Sequence, residues 1–115
     1  MKWTSYTKGV LAEYAAALLL ILKGYRLLEY RYKTPWGEID LIVKRGKTLV
    51  FVEVKRRNSL VGGLEAITPH QQHRIENAGQ AYLASSRLNT KSLRLDVIVV
   101  TSWRIHHVKD AWRVI

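Results

Sequence analysis

The apolar residues of this chain recur with two periods, one typical of helices and one typical of strands. Between residues 6 and 23 they recur every three or four positions, which predicts a first helix that starts after Thr4 or Ser5 and ends before Gly24. Its second face is also small or apolar, so we expect the helix to be covered on most sides. Between residues 25 and 33, apolar and charged residues alternate, which predicts a half-buried strand with a largely basic wet face.

Two further strands are predicted in the middle of the chain, at residues 37–43 and 50–55, where Val, Ile and Leu predominate. Pro35 separates them from the first strand, because proline cannot donate to a sheet ladder. Trp36, beside it, is expected to cover the core; the alternative is a stacking surface for an unpaired base. A basic turn, Lys44–Thr48, joins the two strands.

A loop and a second helix are predicted next. Residues 56–63 contain two adjacent glycines and two adjacent arginines, so we expect a mobile basic loop. The helix has Thr68 as N-cap, Pro69 in its first turn and Gln71 three residues after the cap. Its apolar period continues to about Ala84.

The end of the chain predicts two more strands. Residues 93–101 form a nearly continuous apolar run, as in a strand covered on both faces. A right-handed crossover through the second helix makes that strand parallel to strand 50–55. Residues 103–108 are expected to form an edge strand, and Trp112 to close the core. We therefore predict one α/β domain over residues 1–115, in the order α-β-β-β-α-β with an extra C-terminal edge strand and helices flanking a mixed sheet.

The two central strands carry charges where strands that face a core should carry none. Glu38 and Asp40 lie on the first of them, and Glu53 and Lys55 lie on the second. Burying an unpaired charge costs several kcal/mol, so these residues indicate a functional site. Whether they meet depends on the strand register.

Pairing of Lys44 with Leu49 places Asp40 opposite Glu53, on the same face of the sheet. The same register places Glu38 opposite Lys55. A slip of one residue would send the two carboxylates to opposite faces. We predict the converging register.

Two ionised carboxylates in contact repel each other unless a cation lies between them. Asp40 and Glu53 offer hard oxygen ligands, which favours Mg²⁺, with Mn²⁺ able to substitute. The ion would activate a water molecule toward a phosphodiester, and Lys55 would orient that water or neutralise phosphoryl oxygens. Glu13, the acidic residue of the first helix, has small and apolar neighbours and is a further candidate; the alternative is a carboxylate that reaches water at the helix edge.

The composition narrows the choice of partner. The chain has 19 Lys and Arg against 9 Asp and Glu, a formal net charge of +10, which favours a polyanion such as nucleic acid. An anionic membrane surface fits less well, because no basic run adjoins an amphipathic helix. The absence of cysteine excludes disulfides, thiolate zinc sites and a cysteine nucleophile. The apolar run at residues 14–22 is less than half of the roughly 20 residues that a membrane span needs, so we expect a cytoplasmic protein.

The charged strands resemble a known nuclease signature. Asp40, followed after a hairpin by Glu53-Val54-Lys55, is similar to the motif of the PD-(D/E)XK superfamily, with Ile39 at the position of its usual proline. Over nearly the whole chain the sequence resembles the YraN-like family of small endonuclease-like proteins, which are similar to archaeal Holliday junction resolvases. The segments that carry this resemblance are Gly9-x-x-Ala12-Glu13, Gly24-Tyr25, Gly37–Ile42, Phe51–Lys55 and Arg94–Val97.

The resemblance implies a restriction-endonuclease-like core and a role for each matching residue. Asp40, Glu53 and the backbone carbonyl of Val54 would be metal ligands, Lys55 the catalytic lysine, and Glu13 a catalytic acid from the helix and a further candidate ligand. Glu38 belongs to the motif, but its position also suits a salt bridge with Lys55. Branched DNA and a homodimer are implied by the same resemblance.

Other polar residues are candidate contacts for nucleic acid phosphates. They are Arg45, Lys47, Arg56, Arg57, His70 and Gln71, and for the arginine-rich loop a solvated charged loop is an equal alternative. Gln71 has the alternative of completing the helix cap. For Asp96 we favour a structural salt bridge with Arg94 or Arg31 over support of Lys55.

These patterns together predict a metal-dependent endonuclease that acts on branched or structured DNA in recombination or repair. The alternative is a non-catalytic basic module that binds DNA or RNA. Because one small active site cuts one strand, cleavage of both strands of a junction would require a homodimer.

Overall fold

A computed structural model describes residues 3–113; residues 1–2 and 114–115 of the predicted domain lie outside that range. The elements are α1 (Ser5–Leu22), β1 (Arg26–Thr34), β2 (Gly37–Arg45), β3 (Thr48–Arg56), α2 (Leu60–Glu65), α3 (Pro69–Ser85), β4 (Ser92–Val100) and β5 (Ile105–Val108). The strands are arranged β1-β2-β3-β4-β5, with β3 and β4 parallel and the other neighbours antiparallel. The predicted α/β order, mixed sheet and C-terminal edge strand are confirmed.

The sheet separates two hydrophobic layers. On one face Ala12, Ala16 and Leu20 of α1 pack on a β2–β3 surface that includes Leu41 and Val52. On the other face α3 packs on a surface that includes Phe51. Alternate residues of β2 and β3 therefore face different helices, which is why both strands consist almost wholly of apolar residues.

Helix α1 is less covered than its composition predicts. Only Ala12, Ala16 and Leu20 are fully buried, and the opposite side exposes large apolar side chains, namely Leu11, Tyr14, Leu18, Ile21 and Leu22. The expectation of a helix covered on most sides is wrong, because the two small alanines face the sheet and most of the larger apolar residues face solvent. By length and composition α1 could span a membrane, but its alanine face packs on the sheet of this domain.

The predicted loop at residues 56–63 is partly helical. Helix α2 begins after Ser59, whose hydroxyl accepts a hydrogen bond from the Gly62 N–H at 3.0 Å. Gly63 is buried, and a Cβ atom there would lie 2.4 Å from Cγ1 of Val99. Gly63 therefore permits close packing of a short helix on β4, and the expectation of a mobile loop over the whole segment is wrong.

Asp96 forms the predicted structural salt bridge, with Arg94 as its partner. The guanidinium donates to both carboxylate oxygens, at 2.8 and 2.9 Å. The Asp96 carboxylate is fully buried and also lies 2.7 Å from Nε2 of His107, and its hydrogen bonds hold its pKa below the usual value despite the opposing effect of burial. The alternative partner, Arg31, contacts Glu13 instead.

At the C-terminal end, Trp112 packs against the α3 side of the core. Its indole N–H donates to Glu76 at 2.9 Å. The edge strand β5 is confirmed but shorter than predicted, because Trp103 lies in the turn before it.

Candidate active site

The register of β2 and β3 is the one that brings the carboxylates together. Lys44 pairs with Leu49, as predicted, and the ladder continues to Leu41 and Val52. Beyond this point the Asp40 carboxylate replaces the ladder, because its Oδ2 accepts a 2.8 Å hydrogen bond from the Val54 N–H. The two strands therefore separate at the position where the site begins.

Strand β2 rotates at Asp40. Ile39 packs in the α3-side layer and Leu41 in the α1-side layer, although residues two apart on a regular strand share a face. On the neighbouring strand β1, Arg31 lies between the residues that pair with these two and has a positive φ of 53°. A non-glycine residue in this left-handed region is strained, and such strain concentrates at functional sites.

A polar cavity of about 250 Å³ opens at this end of the sheet. The four predicted catalytic residues, Glu13, Asp40, Glu53 and Lys55, all line it, together with Glu38, Val54, Gln71, Arg74 and Ile75. A second cavity of about 200 Å³ adjoins it through Glu13, Glu38 and Asp40. The tertiary structure therefore assembles in one place residues from α1, β2, β3 and α3.

Glu53 is the buried member of this group, with 6% of its surface exposed. Burial, a hydrogen bond to Asp40 and the charge of Asp40 raise the pKa of Glu53 to about 10, in spite of the nearby Lys55 ammonium. Its Oε2 accepts a hydrogen bond from the side-chain amide of Gln71 at 2.9 Å. At neutral pH and without a cation, Glu53 therefore keeps its proton.

Gln71 has a different role from the one its helix position predicts. Its backbone N–H donates to the Thr68 hydroxyl at 3.2 Å and so takes part in the cap. Its side chain does not complete a capping box but points to Glu53. Gln71 thus connects the start of α3 to the buried carboxylate.

Glu13 is held by two donors from β1. Nε of Arg31 lies 2.9 Å and the Tyr30 hydroxyl 2.8 Å from the same oxygen, Oε1. Burial, reinforced by Glu13, raises the pKa of Tyr30 to about 12. Arg31 is affected as well: the hydrogen bonds of its guanidinium to Tyr6 and Glu13 raise the pKa of Arg31 above its usual value. The second oxygen of Glu13 takes no part in these two hydrogen bonds.

The candidate phosphate contacts divide into two groups. Arg56 and Arg57 are exposed directly after Lys55, and His70 is exposed in the first turn of α3. Arg45 and Lys47 lie at the far end of the β2–β3 hairpin, about 17 Å from Asp40 at the usual rise of a strand. The first group adjoins the cavity, whereas the second does not.

The far group has structural contacts of its own. The Arg45 guanidinium donates to the Lys23 carbonyl at 3.1 Å and lies 4.5 Å from the centre of the Tyr25 ring. Its position therefore supports the end of α1 rather than the cavity.

Two arginines of the site were missed from the sequence, and one expected ion pair is absent. Arg31 and Arg74 line the cavities, but nothing in the local sequence distinguishes them from other arginines of this basic chain. Glu38 pairs with Lys33 across β1 and β2, since the β2–β3 ladder ends before it. Within residues 3–113 it forms no salt bridge with Lys55, so that alternative is wrong.

The donor atoms of the cavity suit a hard divalent cation. Carboxylate oxygens come from Asp40 and Glu53, and Val54 is a further lining residue of the same cavity. No group of three carboxylate, imidazole or thiolate side chains suited to a metal is present in residues 3–113. A metal that keeps several waters, as Mg²⁺ does, is compatible with this two-carboxylate set.

Comparison with known proteins places the chain among bacterial relatives of similar length. Residues 12–100 match the uncharacterised protein family UPF0102. A UPF0102 protein of Mesorhizobium japonicum is 44% identical over 110 residues, which cover 94% of this chain and 88% of that protein. A UPF0102 protein of Parvibaculum lavamentivorans is 45% identical, over 95% of this chain and 84% of that protein. The chain therefore belongs to the UPF0102 family.

Proposed function

We propose that this protein is a metal-dependent endonuclease that hydrolyses phosphodiester bonds of DNA. The observation that carries the proposal is the contact between Asp40 and Glu53, with Lys55 in the same polar cavity. A protein that needed only stability would gain little from a buried carboxylate pair, whereas a cation site requires one. The resemblance to the PD-(D/E)XK nucleases, which have this constellation at the ends of two strands of a restriction-endonuclease-like core, agrees with it.

The chemistry divides between the cation and the chain. A bound Mg²⁺, or Mn²⁺ in its place, supplies Lewis-acid polarisation of the scissile phosphate and lowers the pKa of the attacking water. Asp40 and Glu53 would hold the ion together with the Val54 carbonyl, and Glu13 is a further candidate ligand through its second carboxylate oxygen. Loss of the Glu53 proton would accompany binding, because a ligand carboxylate must be ionised.

Positive side chains around the cavity are suited to the phosphates. The Lys55 ammonium neutralises charge that develops on the phosphoryl oxygens or orients the attacking water. Arg74 lines the same cavity, and Arg56 and Arg57 extend the positive surface beyond β3. Branched or structured DNA in recombination or repair, in the cytoplasm, is the substrate and setting that we propose.

Cleavage of labelled branched and linear DNA with Mg²⁺ or Mn²⁺ tests the proposal. Asp40→Asn keeps the side-chain oxygen that accepts the Val54 hydrogen bond but removes one of the two carboxylates, and Lys55→Ala removes the ammonium group. We expect the cleavage rate of each variant to fall by at least about 100-fold. Arg45→Ala, at the far end of the hairpin, is the matched control and should keep most of the activity. Wild-type protein that cuts no DNA, or an Asp40→Asn variant that cuts normally, would refute the proposal.

The second candidate function is a basic module that binds nucleic acid without cutting it. The net charge of +10 favours binding to nucleic acid but gives no information about catalysis. Salt-dependent binding to DNA or RNA by wild-type protein and both variants alike, without cleavage at any metal concentration, would select this alternative.

We further propose that the protein acts as a homodimer, with α1 in the interface. The exposed apolar side chains of α1 recur at three- and four-residue spacing, at Leu11, Tyr14, Leu18 and Ile21, as in the seam between two packed helices. Light scattering should give twice the chain mass for the wild type and the monomer mass for Leu18→Glu. A monomeric wild type, with and without DNA, would exclude the dimer.

A further inference from the structure

Two tryptophans project into solvent from turns between neighbouring strands of the sheet. Trp36 lies in the turn between β1 and β2 and is 62% exposed, and Trp103 lies in the turn between β4 and β5 and is 94% exposed. The expectation that Trp36 covers the core is therefore wrong. An exposed tryptophan is the most costly apolar side chain to leave in water, so two of them in corresponding places require a reason.

Both turns lie at the same end of the sheet as the carboxylate cavity. The β1–β2 turn leads into β2 three residues before Asp40. Since β3 and β4 are parallel, the turn after β4 lies beside the end of β3, which follows Glu53; the Arg57 N–H donates to the Val100 carbonyl there at 3.1 Å. The order β1-β2-β3-β4-β5 puts Trp36 on one side of the end of β3 and Trp103 on the other.

The same pattern of threonine–backbone hydrogen bonds fixes the turn that carries each tryptophan. In Thr34-Pro35-Trp36-Gly37 the Thr34 hydroxyl accepts hydrogen bonds from the N–H groups of Trp36, at 3.2 Å, and Gly37, at 3.0 Å. The second turn, Thr101–Arg104, repeats this arrangement. A threonine two residues before each tryptophan thus closes the turn and directs the indole outward.

The distances in the second turn are close to those in the first. The Thr101 hydroxyl accepts from Trp103, at 3.4 Å, and from Arg104, at 3.1 Å, and the Thr101 N–H donates to the Arg104 carbonyl at 2.9 Å. The first turn is fixed further by packing, because a Cβ atom on Gly37 would lie 1.9 Å from the carbonyl oxygen of Arg74. Both backbones are therefore ordered before any ligand arrives, which lowers the entropy cost of binding.

The surroundings of the two indoles are basic. Lys33 precedes the first turn, Arg104 is the last residue of the second, and Arg56 and Arg57 lie between the two turns, all exposed. Exposed aromatic rings among cationic side chains are the arrangement by which proteins hold unpaired nucleotides, with phosphates on the charges and bases on the rings. The bases of a continuous duplex are stacked on each other, so their faces are not accessible to such rings.

We propose that Trp36 and Trp103 stack on unpaired bases on the two sides of the candidate active site. DNA with unpaired nucleotides at the point of cleavage is then the preferred substrate class, over continuous duplex. The inference rests on the proposed function for its consequence in cleavage, but the binding that it predicts does not require catalysis.

Binding without metal tests the inference separately from the nuclease activity. Fluorescence anisotropy in EDTA compares a labelled single-stranded oligonucleotide with the duplex of the same sequence, using wild type, Trp36→Ala, Trp103→Ala and the double variant. Each alanine should weaken single-strand binding by about 5- to 100-fold and leave duplex binding within about twofold, because stacking contributes only to the former. Trp103→Phe should retain most of the affinity.

The control is Leu22→Ala, which removes a 77% exposed apolar side chain at the end of α1, next to Lys23 and the far end of the hairpin. It should leave both affinities unchanged. Equal losses for single strand and duplex, no loss in the double variant, or a wild type that does not bind single strands would overturn the inference. Loss of single-strand binding in a protein that never cuts DNA would support the stacking sites and refute only the nuclease proposal.

Discussion

Replacement of Glu53 by glutamine should stabilise the metal-free protein. The pKa of Glu53 is raised to about 10, so at neutral pH this residue is a protonated carboxyl that donates to Asp40 and accepts from Gln71. A glutamine amide has nearly the same shape, donates through its NH₂ group and accepts through its oxygen. The substitution therefore preserves both hydrogen bonds and removes the ionisation.

The size and sign of the effect follow from proton linkage. Because the folded-state pKa of Glu53 lies above its unfolded value of 4.5, the folded state keeps a proton that the unfolded state loses. The contribution of this carboxyl to stability is complete below the unfolded pKa and is lost as the pH rises toward about 10. The loss is about 1.4 kcal/mol per pH unit, or about 3 kcal/mol between about pH 6 and pH 8. Glu53→Gln should abolish this slope and exceed the wild type in stability at the higher pH.

Urea unfolding in EDTA at several pH values measures this difference. Glu38→Gln is the matched control, since it removes an exposed carboxylate from the same cavity and should leave the wild-type slope unchanged. Addition of Mg²⁺ should stabilise the wild type but not Glu53→Gln, because the amide cannot provide an ionised ligand. A Glu53→Gln protein with the wild-type slope, or with lower stability than the wild type at the higher pH, would refute the reasoning.

Two glycine substitutions make opposite predictions for stability. Gly79→Ala should destabilise the fold by about 1–3 kcal/mol, because its Cβ atom would lie 2.3 Å from the Phe51 ring, and the urea midpoint should fall accordingly. Gly9→Ala, in α1, meets nothing within 4 Å and should stabilise the protein by up to about 1 kcal/mol. Equal effects of the two substitutions on the urea midpoint would contradict this account of the packing.

Local patterns were sufficient for most of the architecture. The period of apolar residues predicted both long helices and all five strands, and the turn residues predicted where β1 ends and α3 begins. The register of β2 and β3 also followed from the sequence, since a short turn after Lys44 leaves few ways to pair two strands of opposite direction. That register is what brings Asp40 and Glu53 to one cavity.

Contacts between segments that are distant in the sequence could not be predicted from local patterns. The composition of α1 did not reveal which of its faces would pack on the sheet. The two glycines of α2 indicated a loop, because Val99, the close partner of Gly63, lies far along the chain. Arg31 gave no local sign of its strained backbone or of its contact with Glu13. Gln71 satisfied a capping pattern, although its side chain contacts Glu53.

The sequence by itself determined the two long helices, the strands, the pairing of the central hairpin and the chemical types of the candidate site, because these depend on spacing within short segments. Only the tertiary structure decided that β2 rotates at Asp40, that Glu53 is buried deeply enough to hold a proton, and that two tryptophans flank the site. Those features arise where α1, β2, β3 and α3 meet and where separate turns share one end of the sheet, and long-range packing alone brings such segments together.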